Sequence, residues 1–204
     1  MTARHPVPRD RRAWSTALAR GLVIWIVPVS VVWLLAVPFY NPFLAKAAEN
    51  LVRLTEDPAV TRLPMQGEDH FLVTRTDYST AKGFLSSVRI TDTHFPLILT
   101  GVLFLAVPGV TLRKRLEYLG WATLISAFFH IFSLLLWVKF IYATQLGSWS
   151  AEMYSPFAQN AWGLAKHLID LPFKFGMPLL LWAAFFLREL IPRAPRRAAE
   201  RPAQ

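Results

Sequence analysis

The chain is 204 residues long, with 54% hydrophobic and only 17% charged residues. That balance is too apolar for an ordinary soluble domain and makes lipid the expected solvent for much of the surface. There is no cysteine, so disulfides, thiolate chemistry and cysteine-bound metals are excluded. The net charge of +9 gathers in a few segments that flank apolar runs, a pattern that reports topology and anionic-lipid contact before nucleic acid, so no nucleic-acid partner is expected.

A bilayer core of roughly 30 Å takes about 20 mostly apolar residues to cross as a helix, and four runs qualify. After a basic tail, residues 1–17, the first run covers 18–40 and carries no charge between Arg20 and Lys46. A cleaved signal peptide is the competing reading of this start, but the run is too long and no clear small-x-small site follows Tyr40.

Residues 41–94 then divide into two unlike pieces. Asn41 to Asp57 predicts an amphipathic helix, with Pro42 in its first turn and Phe43, Ala47, Leu51 and Leu54 at helical spacing. Pro58 and Pro64 break that pattern. His70–Thr76 and Phe84–Thr91 then alternate as two short strands around the turn-like sequence YSTAKG, which predicts a β-hairpin. Two strands alone are marginal in water, so the apolar side chains Phe71, Val73, Val88 and Ile90 need cover, from the chain's own interfacial helix or from a partner protein for which they are candidate contacts.

The second run, residues 95–112, holds no ionisable group, and its Pro108 and glycines are tolerable in a bundle. A basic loop, 113–118, leads to the third run, 119–142, which carries His130 near its middle and Lys139 near its end, where it can snorkel. Residues 143–174 are rich in interface-favouring aromatics, Trp149, Tyr154, Phe157 and Trp162. From Pro156 they predict an interfacial helix with Phe157, Ala161, Leu164, Leu168 and Leu171 on one face. The fourth run is 175–191, followed by a basic tail at 192–204. The fold expected is an all-α membrane protein of four transmembrane helices, with a small exported β-hairpin and interfacial amphipathic helices.

Lys and Arg are retained on the cytoplasmic side of short loops. The two tails with the adjoining ends of their runs, and the loop after the second run, hold Arg4, Arg9, Arg11, Arg12, Arg20, Arg113, Lys114, Arg115, Arg188, Arg193, Arg196, Arg197 and Arg201. Only Asp10, Glu117, Glu189 and Glu200 oppose them, so the entire net charge falls on one side. Both termini are therefore expected in the cytoplasm and residues 41–94 and 143–174 outside, in a bacterial inner membrane.

Chemistry is sparse. His130 is the sharpest residue, because an ionisable group in a span is costly and marks a functional position by default. Thr123, Ser126, His130, Ser133 and Trp137 share one helical face that must look toward other helices. Interhelical hydrogen bonding and a proton, substrate or ligand role both fit that face. His94, His167 and Asp170 form a second polar set; metal binding would require them to meet, whereas His167 and Asp170 at i, i+3 can simply pair. No catalytic motif is found, and no cofactor or metal is expected.

The stretches THFPLILTGVLFLAVPG and RKRLEYLGWATLISAFFHIF, with the Pro96-Leu97 and Pro178-Leu179 pairs opening or entering spans, resemble exosortase H-associated membrane proteins over roughly Trp25 to Pro192. The resemblance implies a non-catalytic accessory of an exosortase, a membrane transpeptidase that processes exported proteins. The partner it implies is that enzyme or its exported substrate. Such enzymes use a catalytic cysteine, which this chain lacks. The alternative is a small transporter or membrane enzyme working through His130.

Overall fold

A computed structural model describes residues 11–77, 86–90 and 94–190. The described chain is mostly helical, with three helices long and apolar enough to cross a membrane and one small sheet. The expected turn at Tyr78–Gly83 and the two outermost tails lie outside the described residues.

Helix α1, Arg11–Arg53, is a single 43-residue element, about 65 Å long. The first span and the amphipathic helix expected after it are thus one rod, running through Pro28, Pro38 and Pro42. Each proline removes one hydrogen-bond donor, but in an apolar solvent the neighbouring backbone has no water to turn to, so the helix persists. Val23, Val27, Leu34, Leu35 and Phe39 lie on its exposed surface. Such a band is compatible with a helix embedded in a membrane.

Helix α2, His94–Ala106, has only 13 residues and is shorter than the expected span 95–112. Pro108 explains the early stop, because the residue before a proline is pushed out of the helical region, and Gly109 comes next at φ 81°, a left-handed conformation. At roughly 20 Å α2 falls short of a bilayer core on its own. It is nonetheless central, packing against α1, α3 and α6. Its contact with α1 is close: a Cβ on Gly21 would lie 2.8 Å from the Ala106 carbonyl oxygen.

Helix α3, Leu112–Thr144, spans 33 residues and absorbs the expected loop 113–118 into its first turns. Pro108 and Gly109 have already reversed the chain, and Arg113 to Glu117 are good helix formers. Arg115 folds back to donate from Nε to the Val110 carbonyl at 2.8 Å and from Nη1 to the Leu105 carbonyl. It thereby serves carbonyls left open where α2 ends.

A short helix α4, Ser148–Met153, precedes α5, Pro156–Leu168, which Ser155 caps by accepting a hydrogen bond from the Ala158 amide. A π-helical turn, Ile169–Phe173, joins α5 to α6, Lys174–Leu190. Pro172 inside that turn lacks the N–H that a regular helix would use, and the backbone widens around it. The interfacial helix and fourth span expected as separate pieces therefore form one apolar run, Pro156–Leu187. Phe157, Leu164, Leu168 and Leu171 are exposed, so the apolar face of α5 looks outward.

The sheet is larger than the expected hairpin. Strands β3, His70–Arg75, and β4, Ser86–Arg89, pair antiparallel, and β1, Thr61–Arg62, and β2, Met65–Gln66, line the other edge of β3. β1 and β2 keep one register against β3, Arg62 facing Thr74 and Met65 facing Phe71. They are one strand interrupted at Pro64, whose carbonyl accepts from the Leu72 amide at 3.0 Å but which has no N–H to return the bond.

Phe71, Val73, Val88 and Ile90 point inward and share a core with Leu44, Ala48 and Val52 of α1 and Leu134, Val138, Ile141 and Tyr142 of α3. All four sheet residues are at most 7% exposed. The cover comes from within the chain, and these side chains are closed to a partner as the protein stands.

Candidate functional site

Where α1 leaves its exposed apolar band, three elements are locked together by polar groups. The Tyr40 hydroxyl lies 2.8 Å from His130 Nδ1 on α3. Asn41, fully buried, accepts from His94 Nε2 on α2 at 2.8 Å through Oδ1 and donates through Nδ2 to the Glu68 carbonyl in the sheet turn at 2.7 Å. Trp33 adds edge contacts to both Tyr40 and His94, with ring centroids 5.1 and 5.2 Å away. One face of α1 thus fixes the height and rotation of α2, α3 and the sheet. His130 lies near the middle of α3, buried on the face opposite exposed Phe128 and Phe132.

Beside this lock is a cavity of about 130 Å³, lined by the polar residues Arg89, His130, Ser133, Trp137, Asp170 and Lys174 and floored by apolar side chains such as Phe129 and Leu134. The π turn supplies its third wall. It presents Asp170, which accepts from Trp137 Nε1 at 2.9 Å and pairs with Lys166 at 3.0 Å, while the Lys166 ammonium sits 4.0 Å from the centre of a Trp137 ring. Ser133 donates to the Phe129 carbonyl at 2.8 Å. His130 is 3% exposed, and its ring touches Tyr40 through Nδ1. The Tyr40 hydroxyl and His130 Nδ1 share one hydrogen bond, whose donor is set by the imidazole tautomer. The cavity can hold a few waters or a very small polar molecule and is well below the size of a usual ligand pocket.

The sheet end of the molecule carries two further charged centres that sequence reading missed. Arg75 is sandwiched between the rings of Tyr142 and Trp149, each centroid 4.8 Å from its guanidinium carbon. It grips Asp77 in a bidentate pair at 2.9 and 2.7 Å and reaches Glu56 at 3.2 Å. Glu56 in turn accepts from the Thr61 hydroxyl at 2.6 Å, which also meets the Tyr142 hydroxyl. The hydrogen bond from Arg75 holds the Asp77 carboxyl below its ordinary value. Glu49 accepts from the Leu63 amide at 2.9 Å and Lys46 at 2.7 Å, with Arg62 3.6 Å away. Burial pushes its carboxyl up, but these donors outweigh burial and hold it below the ordinary 4.5. Both centres tie the end of α1 to the first strand. The sequence signal was faint: Arg75 stands between Thr74 and Thr76 at the end of an alternating run, and Glu49 lies off the apolar face of its helix.

Of the polar residues singled out from sequence, His130, Ser133 and Asp170 meet at the cavity. His94 belongs to the adjoining Asn41 lock. Ser126 is buried on the same face of α3, and Thr123 and Trp137 are half-buried there. His167 is exposed and Asp170 pairs with Lys166 instead, so the suggested His94, His167 and Asp170 set does not assemble. Among the described residues no group of three metal-ligating side chains converges. No protein-family model, no curated protein and no solved structure matches the chain.

Proposed function

We propose that the protein is a multi-pass inner-membrane accessory without catalytic activity of its own, with both termini and the α2–α3 turn in the cytoplasm and the sheet outside. The observation that carries this reading is the shared core between the sheet and the ends of α1 and α3. A small sheet welded to two membrane helices is held at fixed height and orientation, which suits a platform that presents a surface. Its outward positions are polar, with Arg62, Gln66, Ser87 and Arg89 exposed. The one-sided basic charge supports the orientation. The resemblance over Trp25 to Pro192 favours an exosortase-type transpeptidase, or the exported substrate it processes, as the partner.

The chain has no cysteine, so single cysteines at Gln66 or Ser87 permit crosslinking in cells with no background from its own thiols. The expected capture is a membrane transpeptidase or its substrate, from both positions and not from a cysteine at Leu180, on the exposed apolar side of α6. Full biological activity with no capture at either sheet position contradicts the accessory reading.

A second reading is favoured by the His130 cavity: a buried imidazole lining the same small cavity as Lys174 and Asp170 is what a proton or small-anion relay would need. It predicts loss of function when His130 alone is changed.

A further inference from the structure

At the end of the bundle opposite the sheet, α1 and the α2–α3 turn enclose an open groove of about 730 Å³. Its floor is low because Ala13, Ala17 and Gly21 succeed one another at helical spacing of four along α1, facing Ala106 and Pro108. Its walls carry Arg12 and Arg20 on α1, with Thr16 between them, and Arg115 across the gap. Among the described residues no Asp or Glu lines it. The groove exists because α2 stops at Ala106, short of the length of its neighbours, and leaves the first turns of α1 unmatched.

We infer that this groove holds the phosphate of an anionic phospholipid. Arg12 and Arg20 are two turns apart on one face, and guanidinium groups bind phosphate oxygens through paired N–H donors. Arg115 gives two of its N–H groups to the carbonyls of Leu105 and Val110, so it contributes fixed positive charge rather than a movable clamp. Below the arginines the groove continues to Ile24 and Trp25 and into the exposed apolar band of α1, where acyl chains belong. Charge above and hydrocarbon below, in that order along one helix, match a phospholipid and not a free polar anion. Basic pockets between membrane helices take such headgroups. The inference requires the membrane setting but not the accessory role or the orientation.

The test is native mass spectrometry of the full chain in neutral detergent, titrated with phosphatidylglycerol or with phosphatidylcholine of the same acyl chains. Phosphatidylglycerol should be retained at least about tenfold more tightly, and Arg12→Ala with Arg20→Ala should abolish that preference. Arg12→Lys with Arg20→Lys, which keeps the charge but loses the paired donors, should restore only part of it. The pair Arg113→Ala and Lys114→Ala removes equal charge outside the groove and should leave the preference intact. Equal retention of the two lipids overturns the inference, as does an equal loss from the Arg113 and Lys114 pair. Displacement by millimolar inorganic phosphate also overturns it, in favour of a free-phosphate site.

Discussion

Asn41 shows how much one side chain fixes here. It is wholly buried, and its amide bonds both α2 and the sheet turn, while the adjacent Tyr40 bonds α3. In sequence Asn41 marks only the end of an apolar run; nothing announces that it faces inward. His130 was legible as a buried polar residue, because its spacing with Ser126 and Ser133 put all three on one face. Its neighbour Tyr40 was not, since the pair is separated by 90 positions. If the accessory reading holds, His130→Gln keeps a hydrogen-bonding side chain and should leave partner capture within about threefold of wild type, as expected for an interhelical bond worth roughly 0.6 kcal/mol. Abolished function at normal abundance would instead support the relay reading.

Glu49 makes a second prediction at this scale. Its carboxylate is held low by Leu63, Lys46 and Arg62 against the effect of burial, so the stabilisation it gives is complete above the ordinary carboxylate range and is lost as acid protonates it. Glu49→Gln should lower the stability of the sheet end by about 1–3 kcal/mol at neutral pH. The variant should also lose less stability than wild type between pH 7 and pH 4. Thermal unfolding in detergent at the two pH values measures both effects; an unchanged acid dependence would show that Glu49 is not the group that titrates.

At the scale of elements, apolar runs identified α1, α3 and α6 well, but ends were misjudged at proline: Pro42 was read as opening a second helix, and Pro108 as tolerable within a span. Pro42 does not end α1 and Pro172 only widens a helix, whereas Pro108 with Gly109 does end α2. The residue after the proline makes the difference: a helix in lipid survives the loss of one donor, but not a left-handed residue next to it. Pro64 hid a strand in the same way, removing one ladder bond from an edge whose register is otherwise kept. The hairpin was visible through alternation, and so was its need for cover, with the source open between its own helix and a partner. That its own α1 and α3 supply the cover comes from long-range packing that no local pattern encodes. Ile90→Asp should therefore destabilise the sheet end by more than about 3 kcal/mol, and Val73→Asp similarly, because each buries an unpaired charge. Ser87→Asp, on the exposed side, should change stability by less than about 0.5 kcal/mol. Protease sensitivity of the sheet in membrane vesicles separates the two classes; equal resistance of all three would mean the shared core is not what holds the sheet.

For the whole molecule, composition and charge gave the class of protein, and the three long apolar helices agree with it. The fourth crossing is the part that changed. α2, at 13 residues, is shorter than the run expected there, and an irregular turn from Val107 to Thr111 follows it, with Val107 buried and the Leu105 and Val110 carbonyls bonded by Arg115. This arrangement places the sheet at one end of the bundle and the basic α2–α3 turn at the other. Single cysteines at Gln66, Ser87, Arg12 and Arg113, probed in intact cells with a membrane-impermeant maleimide, test that arrangement most directly. The account predicts that Gln66→Cys and Ser87→Cys react from outside while Arg12→Cys and Arg113→Cys react only after the membrane is opened; labelling of Arg113→Cys in intact cells, with Gln66→Cys protected, would contradict it.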